Sequence, residues 1–185
     1  MTIHDAYFAQ LQAALLEEGE LRPRLIVDLD RLDHNIDQAV AFAARAGKAL
    51  RLVEKSLPSF ELLDYIARRA GTRRLMSFHQ PFLTLDAQHW PDADILLGKP
   101  MPVALVERFY QSLTGAFEPQ RQLQWLIDSP ERLEQYLGLA QRLGLRLNVN
   151  LELDVGLHRG GVPQGRAGAL MLSVLLQRIA QHSQH

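Results

Sequence analysis

A lysine ends a short apolar run in the stretch KALRLVEKSLPS, residues 48–59. The chain has only three lysines, Lys48, Lys55 and Lys99, and arginine supplies the rest of its basic charge. Because side chains alternate along a strand, Arg51 and Lys55 would share one face of it. Such a lysine has two interpretations: a structural cation that reaches water, or a shielded amine suited to Schiff-base chemistry.

A second group of polar side chains lies in NVNLELDVGLHRGG, residues 148–161. Alternation along a strand would turn one set of these side chains toward packed helices and leave the other set polar. The polar set fits either an edge strand with one wetted face or a polar site at the carboxyl ends of the strands. The apolar set is Val149, Leu151, Leu153 and Val155, and the polar set is Asn148, Asn150, Glu152 and Asp154.

A glycine-rich turn follows that strand directly and carries His158 and Arg159. Gly156, Gly160 and Gly161 permit a tight turn, and loops of this kind often hold functional side chains. Taken alone, His158 is more often a structural hydrogen-bonding group than a catalyst, and Arg159 is usually a surface cation.

Short apolar runs alternate with longer amphipathic stretches along the chain. Helix signals accompany the latter, with Ser59 and Ser129 at N-cap positions and Gly47, Gly71 and Gly144 just past the ends. The alternation predicts parallel βαβ units. The candidate strands are residues 24–29, 49–55, 74–78, 94–98, 123–128 and 146–154, and the candidate helices are residues 31–47, 59–71, 101–113, 129–144 and 165–181.

Parallel units of this kind either close into a (β/α)8 barrel or form an open doubly wound sheet. No Gly-x-Gly-x-x-Gly pattern follows the first strand and no P-loop is present, which favours the barrel. A closed barrel needs eight strands and about 250 residues, whereas six candidate strands occupy this chain of 185. We therefore expect an α/β fold, a TIM-type (β/α)8 barrel that is incomplete, with about six β/α units, as the N-terminal portion of a longer protein. A six-stranded open α/β domain is the alternative.

The composition is that of an ordinary globular protein, with 47% hydrophobic and 22% charged residues. A net charge of −1 gives no reason to expect a nucleic acid or a membrane surface as a partner. The chain has no cysteine, its start lacks the basic region of a secretory signal, and its longest apolar run is too short to span a bilayer. We expect a cytoplasmic protein, with an N-terminal helical extension at residues 1–22 and the partial barrel at residues 23–185.

Three segments together resemble the alanine-racemase-like family of pyridoxal-phosphate enzymes, fold type III. They are LIVDLDRLDHNI at residues 25–36, LRLVEKS at residues 50–56 and LELDVGLHRGGV at residues 151–162. LQWLIDSPERLEQ, residues 123–135, is similar to the fifth strand and helix of the aldolase and dehydratase branch. Members include alanine racemases, D-threonine aldolases, eukaryotic-type D-serine dehydratases and amino-acid deaminases. The resemblance spans roughly residues 23–162, and the order and spacing of the motifs are more specific than any one of them.

The resemblance implies that pyridoxal 5′-phosphate is the cofactor and that Lys55 binds it covalently. Arg159 matches an arginine that lies near the phenolic oxygen of the cofactor in racemases. Glu152 stands where alanine racemases carry a lysine that can be carbamylated, so its carboxylate would fill a similar anionic role. Arg51 matches a basic position in the aldolase branch, and His158 is part of the motif. We assign no metal site to this chain.

The sequence departs from the family pattern around the lysine. Val53 and Ser56-Leu57 stand where the aldolase branch usually has a histidine and a Thr-His pair, and Leu157 replaces the usual methionine. Ser59 stands where alanine racemases place a tyrosine near the phosphate. These departures bear on the branch and the substrate more than on the cofactor, and they weigh against alanine racemase itself.

By the same resemblance, the function is that of an enzyme of D-amino-acid metabolism, a racemase (isomerase) or an aldolase, dehydratase or deaminase, acting at Cα of an amino acid through an external aldimine. In the family, loops after the seventh and eighth strands hold the phosphate, and a C-terminal β domain supplies a second base or metal ligands. We expect this chain alone to bind the cofactor weakly and turn over little, and the full-length protein to be a homodimer. The alternatives are a non-catalytic pyridoxal-phosphate-binding homeostasis protein and a remnant without ligand.

Overall fold

Five short parallel strands form one sheet, paired in the order in which they occur along the chain. A computed structural model of the chain describes residues 3–19 and 22–185. Since all four pairings are parallel, the carboxyl ends of the strands lie at the same end of the sheet. We call the residues that directly follow the strands at this end the carboxyl rim. The strands are β1 (Leu52–Val53), β2 (Arg74–Ser77), β3 (Asp94–Leu97), β4 (Leu123–Ile127) and β5 (Asn148–Leu151).

Helices connect the strands, as parallel pairing requires. Ser59 and Ser129 are N-caps whose hydroxyl oxygens accept a hydrogen bond from the backbone N–H three residues on. Gly71 and Gly144 end the same two helices in the left-handed conformation, so these predicted helix ends are confirmed. The helices are α1 (Ile3–Glu17), α2 (Leu29–Arg45), α3 (Phe60–Ala70), α4 (Gln80–His89), α5 (Val103–Ser112), α6 (Pro119–Gln122), α7 (Pro130–Leu143) and α8 (Gly165–Gln181), with a 3-10 turn at Glu54–Ser56.

The chain divides into two compact units, Met1–Asn35 and Ile36–His185. In the first unit, Asp28 accepts hydrogen bonds from the backbone N–H of Arg31 at 3.1 Å and the hydroxyl of Tyr7 at 2.8 Å. These hydrogen bonds hold the pKa of the Asp28 carboxyl below its usual range. The predicted domain boundary after residue 22 stays a prediction.

The strand predicted at residues 24–29 is wrong. Residues 23–28 have no regular secondary structure, and α2 begins at Leu29. The apolar residues that suggested a strand are exposed, Leu25 to 98%. A strand exists only where a neighbour pairs with its backbone N–H and C=O groups, and among the described residues no such ladder binds this segment. Apolar composition alone therefore does not make a strand here.

The core of the second unit covers one face of the sheet. Alternate residues of β2, β3 and β4 are fully buried, among them Leu75, Ile95 and Trp125. Helix residues such as Leu83 and Phe109 pack in the same cluster. Burial of an apolar side chain of this size contributes about 1.5–3 kcal/mol. The alternate positions of β3, β4 and β5 are only partly buried and include Asp94, Gln124, Asn148 and Asn150.

The sequence pattern does not predict α4. The buried side of this helix includes the polar residues Gln80 and Asp86 beside Leu83 and Ala87. Polar residues at buried positions interrupt the apolar spacing by which an amphipathic helix is recognised. The α/β class with a parallel sheet is confirmed, and the described residues form five strands in place of six. Among the described residues, no helix has both the length and the apolar character needed to cross a bilayer.

Candidate functional site

Lys55 lies on the carboxyl rim, just beyond β1. The strand ends at Val53, and Lys55 is the middle residue of the 3-10 turn, which the backbone closes with a 2.9 Å hydrogen bond from Leu57 N–H to the Glu54 carbonyl. The prediction that Lys55 is the last residue of a strand is therefore wrong, because the chain turns one residue earlier. Lys55 is exposed, and among the described residues no carboxylate lies within ion-pairing distance of its amine.

The Lys55 amine lies over an aromatic ring. Its Nζ is 3.9 Å from the centroid of the Phe78 ring, within the range of a cation–π contact. Phe78 directly follows β2, and its backbone N–H donates to Glu54 Oε1 at 3.2 Å. The far end of the ring occupies the space that a Cβ would fill at Gly98. Only glycine at that position leaves room for the ring.

Behind the 3-10 turn, Glu54 forms a buried carboxyl pair with Asp86 of α4. Both residues are 2% exposed. Among the described residues, neither Glu54 Oε2 nor Asp86 Oδ2 has a hydrogen-bond donor. Burial, and the hydrogen bond and negative charge of Glu54, raise the pKa of Asp86 to about 9. Asp86 therefore keeps its proton at neutral pH, and that proton serves the hydrogen bond between the two carboxyls.

The glycine-rich turn returns to the end of β5. Glu152 N–H donates to the Ile127 carbonyl at 2.8 Å, and Val162 N–H donates to the Glu152 carbonyl at 2.7 Å. Gly161 allows this return, since its φ is +90° and a Cβ there would lie 2.7 Å from the Glu152 carbonyl oxygen. The turn also corrects part of the predicted strand, which ends at Leu151. Val149 and Leu151 pack on the core as predicted, whereas Leu153 and Val155, beyond the strand, are exposed.

Asp154 braces the turn through hydrogen bonds to its backbone and to His158. Asp154 Oδ1 accepts the backbone N–H groups of Gly156 and His158, both at 3.0 Å, and its Oδ2 lies 2.7 Å from His158 Nδ1. These hydrogen bonds lower the pKa of the Asp154 carboxyl to about 2. They also hold His158 in the left-handed region, with φ of 51°, the only positive φ of a non-glycine residue in the described part of the chain.

Glu152 and Arg159 lie in the same turn. A Cβ at Gly160 would be 3.9 Å from Glu152 Oε2 and 4.0 Å from Asp128 Oδ2, so both carboxylates face this glycine. Arg159 precedes it and is exposed. The turn thus contains the predicted residues Glu152, His158 and Arg159, and Asp128, which follows β4 and which the sequence pattern does not predict, lies beside its Gly160.

Arg51 does not reach the carboxyl rim. Its guanidinium donates to the carbonyls of Leu75 at 2.8 Å and Asp94 at 2.7 Å, and to Asp94 Oδ1 at 3.0 Å. Asp94 and Leu75 stand at the beginning of β3 and β2. Arg51 therefore ties strands together at the amino end of the sheet, while Lys55 lies at the carboxyl end.

Lys55 and the glycine-rich turn lie at opposite sides of the sheet. They follow β1 and β5, its two outer strands. Four inter-strand steps of about 4.8 Å separate those strands by roughly 19 Å along the sheet. In a closed eight-stranded barrel, strands four places apart face each other across the axis, so the two groups would line one opening. Among the described residues, those of the turn included, no three histidine or acidic side chains are grouped as a metal site requires.

The sequence pattern does not predict Phe78 or the Glu54–Asp86 pair. Alternation along a strand would place Glu54 on the face opposite Lys55. The available signal was a carboxylate within an otherwise apolar run, because a buried charge needs a partner elsewhere in the fold. That partner lies on α4, the helix that the pattern did not predict.

The sheet and the rim define an α/β protein with a lysine and a glycine-rich polar turn at the carboxyl ends of its strands. The family model of the alanine racemase N-terminal domain matches residues 27–182. The chain belongs to that family, which consists of pyridoxal-phosphate-dependent enzymes of fold type III, and the resemblance seen in the sequence is confirmed.

Solved structures share the fold at low sequence identity. D-threo-3-hydroxyaspartate dehydratase from Delftia sp. HT23 is 20% identical with a TM-score of 0.66, and the match covers 84% of this chain and 39% of that one. Histidine racemase from Leuconostoc mesenteroides subsp. sake NBRC 102480 is 15% identical with a TM-score of 0.58, covering 80% and 37%. The chain thus spans less than two-fifths of the length of either protein. No curated protein sequence matches it.

Proposed function

We propose that this chain carries the cofactor lysine of a pyridoxal-phosphate-dependent enzyme that acts at Cα of an amino acid. The observation that carries the proposal is the position of Lys55, an exposed amine on the carboxyl rim of a family member, with no carboxylate to pair with it among the described residues. Barrel enzymes of parallel strands keep their chemistry at this end.

The residues on the rim fit the chemistry of the cofactor. Pyridoxal phosphate offers an aldehyde, which a primary amine attacks, and a phenolic oxygen and a phosphate, which cationic donors bind. Lys55 supplies the amine and Arg159 a guanidinium that stays charged at every relevant pH. Arg51 is already engaged by Asp94 at the amino end of the sheet, so we leave it out of the proposed site.

When bound, pyridoxal phosphate withdraws electrons from Cα of an attached amino acid and so weakens the bonds to that carbon. From the turn after β5, the chain would supply polar groups for that chemistry. With its Nδ1–H donated to the Asp154 carboxylate, His158 presents Nε2 as a proton acceptor. Glu152 contributes a carboxylate from the same turn. Whether the enzyme is an isomerase or a lyase of D-amino acids is set by which bond these groups favour.

The isolated chain is proposed to turn over little. Lys55 and the turn are separated by the full width of an open sheet in the described residues, and water would reach a cofactor held there from the unclosed side. Dimerisation of the full-length protein and a cytoplasmic location stay predictions.

Covalent labelling tests the proposal. Pyridoxal phosphate is added to the chain, reduced with borohydride, and the modified peptides are found by mass spectrometry. We expect the pyridoxyl group on Lys55 and its loss in Lys55→Ala. Lys48 and Lys99 are matched controls because they too are exposed, and Lys99 follows β3 on the same rim.

A label spread evenly over the three lysines, or absent from Lys55, would overturn the assignment. A label on Lys55 with no amino-acid turnover by a full-length parent protein would favour the non-catalytic carrier instead. Rapid turnover by the 185-residue chain would contradict the proposed inactivity.

A further inference from the structure

A lysine side chain at a surface normally samples many rotamers, and ordering it costs up to about 2 kcal/mol of conformational entropy. Lys55 is exposed, yet its amine is placed over one face of the Phe78 ring at 3.9 Å. Among the described residues, neither Lys48 nor Lys99 lies over an aromatic ring. The contact therefore distinguishes Lys55 from the two other exposed lysines.

Phe78 is held through both its backbone and its ring. Its backbone N–H donates to Glu54 Oε1, the far end of its ring lies against Gly98, and Gly98 N–H donates to the carbonyl of Ser77 at 2.8 Å. Ser77 is the residue before Phe78, so this last bond links the base of the ring to the next strand. The platform beneath the amine is consequently rigid even though the amine is exposed.

The same carboxylate fixes the other partner. Glu54 and Lys55 are consecutive residues of one 3-10 turn, and Glu54 is buried against Asp86. One side chain thus anchors the backbone that carries the lysine and the backbone that carries the ring. Their relative position is set by a single buried group rather than by a mobile loop.

We propose that Phe78 is a positioning residue for the reactive lysine: its ring orients the Lys55 amine on the carboxyl rim before the cofactor arrives. The effect of Phe78 on the reaction of Lys55 rests on the proposed function, whereas the contact between Lys55 and Phe78 does not. Phe78→Leu removes the ring and keeps an apolar side chain, and Phe78→Tyr keeps the ring. Phe78→Met is a second ringless variant in case Phe78→Leu does not fold.

Nuclear magnetic resonance tests the platform without the cofactor. With only three lysines, carbon-13 labelling at the ε carbon gives three assignable signals. We expect the Lys55 ε protons to be shifted upfield by the ring current, unlike those of Lys48 and Lys99. The shift should disappear in Phe78→Leu and persist in Phe78→Tyr. Three coincident lysine signals in the unsubstituted chain would overturn the proposal.

Labelling with pyridoxal phosphate tests the consequence. The initial rate at Lys55, relative to Lys99 in the same sample, should fall about two- to fivefold in Phe78→Leu, because an amine that is freed to sample many rotamers is less often placed for attack. Phe78→Tyr should restore it, which a general loss of folding could not explain. Equal relative rates in all variants would overturn the positioning role and leave the proposed function intact. A ring-current shift without any label on Lys55 would leave the platform standing and remove the proposed function.

Discussion

At the scale of single residues, the unexpected feature is a pair of buried carboxyls next to the candidate lysine. Two acids that are each 2% exposed are tolerated only if one of them is neutral. Asp86 is the one that keeps its proton, with a pKa raised to about 9 mainly by burial. The pair therefore makes the stability of the fold depend on pH near neutrality without using a histidine.

This pair predicts how stability changes with pH. In the unfolded chain Asp86 loses its proton near pH 4, whereas the folded chain keeps it until about pH 9. Between these values the unfolded state binds fewer protons, so the free energy of unfolding falls as pH rises, by at most about 1.4 kcal/mol per pH unit. Urea unfolding of the unsubstituted chain and of Asp86→Asn, from about pH 5 to about pH 8, measures this change in the free energy of unfolding.

Asp86→Asn should flatten this slope, because an amide has no proton to release and can still donate to Glu54. Asp92→Asn, a change at an exposed aspartate, should leave the slope unchanged. Parallel pH profiles for the parent chain and Asp86→Asn would show that the pair does not share a proton.

At the scale of elements, the site depends on how two strands end. β1 ends in a 3-10 turn that exposes Lys55, and β5 ends in a turn whose return is made by Gly161. A side chain at Gly161 meets two obstacles at once, the left-handed φ of +90° and the Glu152 backbone. Glycine at position 161 is thus required by the path of the backbone, whether or not a ligand binds near it.

Gly161→Ala should therefore destabilise the chain by about 1–3 kcal/mol, the usual cost of strained backbone. Gly138→Ala is the matched control: Gly138 lies within α7, and a Cβ there would meet no atom within 4 Å, so alanine should stabilise the chain by up to about 1 kcal/mol. Denaturant unfolding measures both. Equal effects at the two glycines would contradict the tight approach at Gly161.

Helix ends can be predicted from the local sequence, whereas contacts between distant elements cannot. Helix caps at Ser59 and Ser129 are local, since a hydroxyl needs only the N–H three residues away. Whether the segment at residues 24–29 is a strand depends on a partner far along the chain, and that information is not in the segment. The contact between Glu54 and Asp86 likewise joins two elements that no local pattern relates.

At the scale of the whole molecule, the sequence predicts the fold class and the position of Glu152, His158 and Arg159 at the end of β5. It does not predict which groups the Arg51 guanidinium contacts. Because side chains alternate along a strand, the sequence predicts Arg51 and Lys55 on one face. The direction of a long side chain, however, also depends on where its hydrogen-bond acceptors lie. Here those acceptors, Leu75 and Asp94, lie at the other end of the sheet.

The distribution of burial predicts where stability resides. Leu97 is 1% exposed within β3, and Leu97→Ala should cost about 2–5 kcal/mol. Leu25, 98% exposed, should tolerate alanine within about 0.5 kcal/mol. Thermal or denaturant unfolding of the two variants compares them directly. A large loss at Leu25 would mean that the segment before α2 is part of a packed core.

The brevity of the outer strands has a consequence for how copies of the chain meet one another. An uncovered strand is a template for pairing with a strand of another molecule, and long flat ones promote aggregation. β1 offers two residues and β5 four, and the N–H of Leu147, directly before β5, already donates to the carbonyl of His185. An open sheet with outer strands this short thus resists pairing with another copy of the chain, because it presents too few consecutive unpaired backbone N–H and C=O groups.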